Sequence, residues 1–196
     1  MRVGVLGLGI GVLLSYSRTN DFFRCYEISP GAMYCATNIF TFVKESPARV
    51  DLVLDDARKA MERERKAGEE PFDILYVDAF TGDNLPYHLS TKEAFELYFD
   101  RLRPDGILAV NISNWHLDLA PLMRSVSEHF DVPVVVVLQQ GDLPNIRFGS
   151  AWAFFMRDPP DDFEFPQDAR LVNLNATRSF TLPTDEKGSF VPLIRW

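Results

Sequence analysis

The 196-residue sequence predicts an α/β protein: a seven-stranded, mostly parallel sheet with helices on both faces and an antiparallel last strand. Three observations carry that expectation. Short apolar runs alternate with stretches of helical periodicity through most of the chain, the pattern of parallel strands joined by crossover helices. The fourth run, FDILYVDAF, is nearly all apolar, as a strand covered on both faces must be. The last two runs, VPVVVVLQ and SAWAFFMRD, are joined by the polar loop QGDLPNIRFG without a helix, so they can pair as an antiparallel unit at one edge.

Taken in order, RVGVLGL is a buried strand that ends in glycine, and GVLLSYS is a short helix. FFRCYEIS is the second strand. SPGAMYCATNIF opens a helix at Ser29, with Pro30 in the first turn where a missing N–H costs nothing. RVDLVLD is an alternating, β-branched third strand, and DARKAMERERKAGEE is a charged, solvent-facing helix that stops near Gly68. After the fourth strand, STKEAFELYFDRLRPDG carries a capping-box pattern of Ser90 and Glu93, and Pro104 and Gly106 stop the helix. ILAVNIS is the fifth strand and LDLAPLMRSVSEHF an amphipathic helix. From about Asp158 the chain turns irregular and rich in Pro and Asp. Residues 1–157 therefore read as one nucleoside-binding domain, with 158–196 as an irregular extension packed on it.

Composition narrows the function. The formal net charge of −8 disfavours nucleic acid and anionic lipid as partners. Cys25 and Cys35 make neither a disulfide framework nor a metal-ligand spacing, which fits a reducing, cytoplasmic setting without a metal. No apolar run has the ~20 residues a membrane-spanning helix needs, so this segment is expected to make no membrane contact. The parent protein is nonetheless expected to be longer and could be anchored, because Met1 abuts the first core strand directly.

In an open parallel sheet, ligands bind beyond the carboxyl ends of the strands, where the strand order reverses. Gly7, Gly9 and Gly11 follow the first strand and let the backbone turn and approach a ligand closely. Glu27 ends the second strand 20 residues beyond Gly7, placed to accept hydrogen bonds from both hydroxyls of a ribose. Asp56 follows the third strand, where it can receive an exocyclic amine such as that of adenine. Asp78 ends the fourth strand and faces the same cleft. Together they predict a nucleoside site. The third glycine of a dinucleotide fingerprint is replaced by Val12, which argues against a nicotinamide dinucleotide.

The series GLGIG, YEIS, DDAR, DILYVDAF and LRPDGILAV resembles the class I S-adenosylmethionine-dependent transferases, a Rossmann-like fold. More narrowly, DILYVDAFTGDNLPYHLSTKEAFELYFDRLRPDGILAVNISNWHLDL is similar to the spermidine synthase-like (polyamine aminopropyltransferase) group, over about residues 2–156. The resemblance implies S-adenosylmethionine or its decarboxylated form as co-substrate, a polyamine-like amine as acceptor, and no metal; a homodimer is compatible with it. It further implies a nucleoside-side loop of Gly7, Leu8, Gly9 and Gly11, ribose contacts from Glu27 with Ile28 beside it, and adenine contacts from Asp56 and Ala57. Asp78 would face the incoming amine as its base, and Asp83 would join it from the gate loop.

The match departs from the group's pattern in places. Ile10 stands where the group has an Asp that recognises the free amine of the decarboxylated donor. Asn111, Ile112 and Ser113 supply no acid after the fifth strand. Phe80 and Tyr87 would make the acceptor pocket more apolar than a simple diamine needs, and the N-terminal hairpin that covers the group's active site is missing. His88, Asn114 and Trp115 are further candidates for the cleft; His116 and His129 read as surface and Trp152 as core. A small-molecule methyltransferase and a non-catalytic nucleoside-binding module of a membrane-linked protein stay open as alternatives, with a dinucleotide-dependent oxidoreductase more distant.

Overall fold

In the computed structural model, eight strands lie in the order β3-β2-β1-β4-β5-β7-β6-β8. The described residues are 1–80, 86–142, 148–159, 164–165 and 169–195. The strands are β1 (Arg2–Leu6), β2 (Phe22–Glu27), β3 (Arg49–Leu54), β4 (Phe72–Val77), β5 (Leu102–Asn111), β6 (Val134–Gln139), β7 (Ser150–Phe155) and β8 (Ala169–Leu171). The α-helices are α1 (Pro30–Tyr34), α2 (Phe42–Glu45), α3 (Ala57–Ala67), α4 (Lys92–Asp100) and α5 (Ala120–Phe130). The chain divides into two compact units, one of Met1–Ala79 with Leu97–Gly106 and one of Phe80–Glu96 with Ile107–Trp196. None of the described helices is long and apolar enough to cross a membrane.

In the first unit, β1 pairs in parallel with β2 and β4, and β2 with β3. Strand side chains alternate between faces. Val3, Val5, Phe23 and Cys25 point to one face and pack with Leu14, Met33, Ala36 and Val43, the short helices following β1 and β2. Tyr26 and Arg24 point to the other face, where α3 lies. There the Tyr26 hydroxyl donates to Glu64 at 2.6 Å, and Arg24 pairs with Glu64 at 3.3 Å. Arg101, 2% exposed, adds a second guanidinium to Glu64 and donates to the Glu69 carbonyl at 2.7 Å. These bonds hold α3 in register with β2.

Local signals set the helix ends. The Ser29 hydroxyl accepts from the Ala32 amide and Pro30 occupies the first turn of α1. The helix expected through Phe40 is instead broken: α1 gives way to a π turn over Cys35–Ile39, and a separate α2 follows. Thr37 and Asn38 donate their side chains to the carbonyls of Met33 and Tyr34, bonds that compete with regular helix. α3 starts at the Asp56 cap and stops at Gly68.

In the second unit β7 lies between β5 and β6, antiparallel to both. The expected antiparallel pair of the last two runs is present as β6 and β7, with β8 added outside β6 and β7 the interior member. Its Ala153 and Phe155 are fully buried, and an interior position also pairs both edges of its backbone. The strand count is eight rather than seven, because β8 forms inside the extension read as irregular and pairs with β6. α4 also departs from its expected cap. Thr91, not Ser90, accepts from the Ala94 amide, and Ser90 donates to the Pro86 carbonyl instead. The helix already ends at Asp100, so Pro104 and Gly106 lie in β5 rather than acting as its stop.

Candidate active site

The parallel pairing of β3, β2, β1 and β4 puts their carboxyl ends on one edge of the sheet. Three backbone bonds close the last pairs of these strands: Asp55 N to Glu27 O at 3.0 Å, Gly7 N to Tyr26 O at 2.9 Å, and Asp78 N to Leu6 O at 2.9 Å, in the register that pairs Glu27 with Leu54, Leu6 with Tyr26 and Leu6 with Val77. Leu54, Glu27, Gly7 and Asp78 thus form one row, with Asp55 one residue beyond it on the third strand. At an inter-strand spacing of about 4.8 Å, three steps make the row roughly 14 Å long. Three carboxylates and a glycine turn face a common edge.

Two of the glycines are held for different reasons. Gly7 has φ +94°, and a Cβ there would lie 2.4 Å from the Asp78 carbonyl oxygen. Only glycine lets the end of β1 pass the end of β4. Gly9 has φ +55°, is exposed, and has nothing within 4 Å of where its Cβ would be. The bare backbone at Gly9 leaves room for a ligand to come close. Gly11 sits against Val43 and Phe42, and the side chain of Leu8 is buried.

Glu27 joins the loop to the row. One carboxylate oxygen accepts from Leu8 N at 3.2 Å and Gly9 N at 3.4 Å; the other accepts from Ser29 N at 2.8 Å. A carboxylate offers about four acceptor positions, so three amides leave it able to take a hydroxyl as well. Ile28 beside it is 68% exposed. Asp56 caps α3 by accepting from Lys59 N at 3.0 Å, and Ala57 is the first residue of that helix. Sequence reading passed over Asp55, although the DD pair was there to be seen. The Asp55 carboxylate accepts from Asp56 N and pairs with Arg63, whose guanidinium holds it below the usual carboxylate range.

Most of the other candidates belong to the second unit. Asp83 lies outside the described residues. His88 is exposed on the turn Tyr87–Leu89. The acceptor-pocket reading of Tyr87 is corrected: its hydroxyl donates to the Thr184 carbonyl at 2.8 Å and its ring lies 5.5 Å from that of Phe190. The Asn114 side-chain oxygen accepts from the amides of His116 and Leu117, so it closes a turn, and Trp115 is largely exposed. Trp152, read as core, is half-buried and stacks on Phe154. Cys25 is buried, which pushes its thiol up to about 12. In the second unit, a groove of about 420 Å³ lies between α5 and the stretch Val172–Asn175, and no residue singled out by sequence lines it. Its Arg124 is already engaged by Glu128 and the Leu174 and Thr177 carbonyls.

No family model matches the chain. It is 22% identical to a probable polyamine aminopropyl transferase of Bifidobacterium longum over 68% of its own length and 29% of that protein's. It is 29% identical to a polyamine aminopropyltransferase of Vibrio vulnificus over 56% of its own length and 37% of that protein's. The chain therefore spans about a third of the length of these relatives. Among solved structures, human methyltransferase-like protein 13 in complex with SAH superposes with a TM-score of 0.65 at 19% identity, covering 84% of this chain and 75% of that one. A probable spermidine synthase from Corynebacterium glutamicum superposes with a TM-score of 0.60 at 22% identity, covering 81% and 56%. The fold is that of the class I methyltransferases, and the sequence likeness is to the polyamine aminopropyltransferases built on it.

Proposed function

We propose that the chain is the nucleoside-binding part of a spermidine synthase-like transferase, which moves an aminopropyl group from decarboxylated S-adenosylmethionine to an amine acceptor. The observation that carries the proposal is the row of Glu27, Gly7 and Asp78, with Asp55 one residue beyond it and the open backbone of Gly9 held by its amide to Glu27. The names of the sequence relatives support the reaction class.

In this reading Glu27 accepts a ribose hydroxyl at its remaining position, and the first turn of α3, at Asp56 and Ala57, receives the base. The donor is a sulfonium, so its carbon–sulfur bond is already activated. A neutral amine nitrogen attacks the carbon beside sulfur; the C–N bond forms, the C–S pair returns to sulfur, and a neutral thioether leaves. The nitrogen sheds one proton, and Asp78 is the residue placed to take it, since its carboxylate is exposed at the end of β4. Acidic groups also suit an acceptor with a cationic far end.

One observation favours a second reading, methyl transfer from intact S-adenosylmethionine. Ile10, 39% exposed between two glycines of the loop, offers no carboxylate to a lone ammonium on the donor. Side-by-side calorimetric titration with S-adenosylmethionine, its decarboxylated form and methylthioadenosine separates the two. Preference for the decarboxylated donor upholds aminopropyl transfer, and preference for the intact donor upholds methyl transfer. Asp78→Asn is expected to leave nucleoside affinity within about twofold and to stop transfer; turnover that survives would remove Asp78 as the base.

A further inference from the structure

The chain is 24% charged, yet residues 3–17 and residues 28–43 carry no charged side chain at all. The first stretch supplies β1 and the 3-10 turn Val12–Tyr16; the second supplies α1, the π turn and the start of α2. In the first unit these short elements make one thin layer over the sheet. Its inner side is packed: Leu14 and Ala36 are buried with Val3, Val5, Phe23 and Cys25, and Met33 and Val43 lie against them. Its parts are joined to one another. α2 packs on the 3-10 turn and on the π turn, the Ser17 and Ser46 hydroxyls are 2.8 Å apart, and the Phe40 and Phe42 rings stack with centroids 6.4 Å apart. Its outer side is bare: Val12, Tyr16, Tyr34, Ile39 and Phe40 are 55%, 80%, 61%, 62% and 37% exposed.

We infer that this face is where the chain meets a second copy of itself, in a two-fold dimer. The area suffices. At roughly 150–250 Å² for a whole aromatic side chain, Tyr16, Tyr34 and Phe40 leave about 270–450 Å² in view, and Val12 and Ile39 enlarge it. The largest apolar patch of a monomer is ~300–600 Å² and is often functional. Counted on two copies, the face reaches the ~1,000 Å² that a specific interface needs. The chemistry selects the partner. A surface meant for solvent mixes charges of both signs, whereas interface cores are rich in Tyr and Phe and poor in charge. The face offers no carboxylate to a basic partner and no cation to nucleic acid or anionic lipid. Two copies with a net charge of −8 repel where their acidic surfaces meet, and an uncharged face lets them approach. A second copy brings the same rings and aliphatic groups, with the hydroxyls of Tyr16, Tyr34 and Thr41 to pair between them. At the rim, Lys44 and Glu45 are adjacent and exposed, so a two-fold axis lets each face its opposite in the other copy.

Sedimentation of the full chain across about 1–200 µM tests this. A monomer–dimer equilibrium is expected with Kd on the order of 10–100 µM, the weak end of the scale for an interface near ~1,000 Å². Tyr16→Glu and Ile39→Glu each set like charges inside the interface and are expected to raise that Kd tenfold or more. Tyr16→Ser, which removes the ring without adding charge, is expected to raise it about threefold or more. Both side chains are over 60% exposed, so the melting temperature of each variant should stay within a few degrees of wild type. Val191→Glu, at a residue 63% exposed in the second unit, should dimerise like wild type. A monomer at every concentration overturns the proposal. So does a dimer that Tyr16→Glu and Ile39→Glu leave intact, or one that Val191→Glu weakens as much as they do. Loss of the dimer on raising salt from about 0.05 to 0.5 M would make the contact ionic and overturn it as well. Flotation with phosphatidylcholine vesicles reads the remaining occupant: a chain that binds them and stays monomeric in solution has a lipid-facing surface here, and the dimer is refuted.

Discussion

Gly7 and Gly9 stand two residues apart in one loop, yet alanine at each should fail in opposite ways. At Gly7 the added Cβ would sit 2.4 Å from the Asp78 carbonyl oxygen, with φ at +94°. The backbone conformation costs of order 1–3 kcal/mol for a residue with a Cβ. Forcing an atom into a closed contact adds about 1–3 kcal/mol. The two terms give a loss of roughly 2–6 kcal/mol, a large share of the ~5–15 kcal/mol that holds a domain together. For a chain of this size that lowers Tm by roughly 5–20 °C. Gly9→Ala carries only the left-handed backbone cost of about 1–2 kcal/mol, because nothing lies within 4 Å of its Cβ. Its cost should appear in binding instead, as a tenfold or greater rise in nucleoside Kd, since the methyl occupies the space reserved for the ligand. Thermal unfolding and calorimetric titration of both variants give the comparison. Wild-type affinity in a folded Gly9→Ala protein would refute the assignment of this loop to the nucleoside. A Gly7→Ala protein as stable as wild type would refute the close-approach argument.

Two further predictions concern buried and row groups. Glu27→Gln keeps the shape of the side chain but removes the charge and turns an NH2 toward one of the amides it accepts from; hydrogen bonds to charged groups are worth ~1.5–3 kcal/mol, so nucleoside Kd should rise about 10- to 100-fold, and the lost amide bond of about 1–3 kcal/mol should lower Tm by roughly 2–12 °C. Burial raises the Cys25 thiol to about 12 from its ordinary value of 9.0, and burial likewise raises Tyr26 and Tyr98. Each group stays protonated in the fold while its unfolded counterpart ionises, so stability is complete below the unfolded value and falls as pH climbs above it. Between about pH 9 and 12, Cys25 alone should withdraw up to ~1.4 kcal/mol per pH unit. Denaturant midpoints across that range check it, and a flat profile would contradict the burial of these groups.

The row was legible in the sequence for a physical reason. A carboxylate inside these strands needs a cation beside it, as Asp51 has Arg24 and Asp73 has Arg103, whereas Glu27, the Asp55-Asp56 pair and Asp78 mark where three apolar runs leave the sheet. The α3 boundaries were legible too, because the Asp56 cap and Gly68 act on neighbouring backbone. What escaped reading depends on partners far along the chain. Ser90 and Thr91 are both good caps, and Asp185 is part of what decides between them. Nothing near Tyr87 says that its hydroxyl is bound by Thr184. Periodicity identifies β7 as a strand but does not say which strands it lies between, and the three residues of β8 are too few to stand out among prolines and aspartates.

Ile10 is where departure from the family pattern and geometry meet, and it allows donor choice to be changed with one substitution. The residue is 39% exposed between Gly9 and Gly11, and it does not share their positive φ, so aspartate can occupy the position without backbone strain. Intact S-adenosylmethionine carries both an ammonium and a carboxylate on its tail; the decarboxylated donor carries the ammonium alone. A carboxylate at position 10 attracts the first group and repels the second. An ion pair at a partly exposed site is worth about 0.2–1 kcal/mol, which is at most about fivefold in affinity. The ammonium is common to both donors, so the repulsion of the carboxylate sets the ratio, and Ile10→Asp should shift it by up to about fivefold toward the decarboxylated donor at low salt. Because the screening length falls from about 30 Å at 0.01 M to 3 Å at 1 M, the shift should shrink as salt is added. Titration of both donors at two ionic strengths reads it directly. A ratio that does not move would mean that the donor's tail leaves the loop by another route, and that residue 10 has no part in choosing between aminopropyl and methyl transfer.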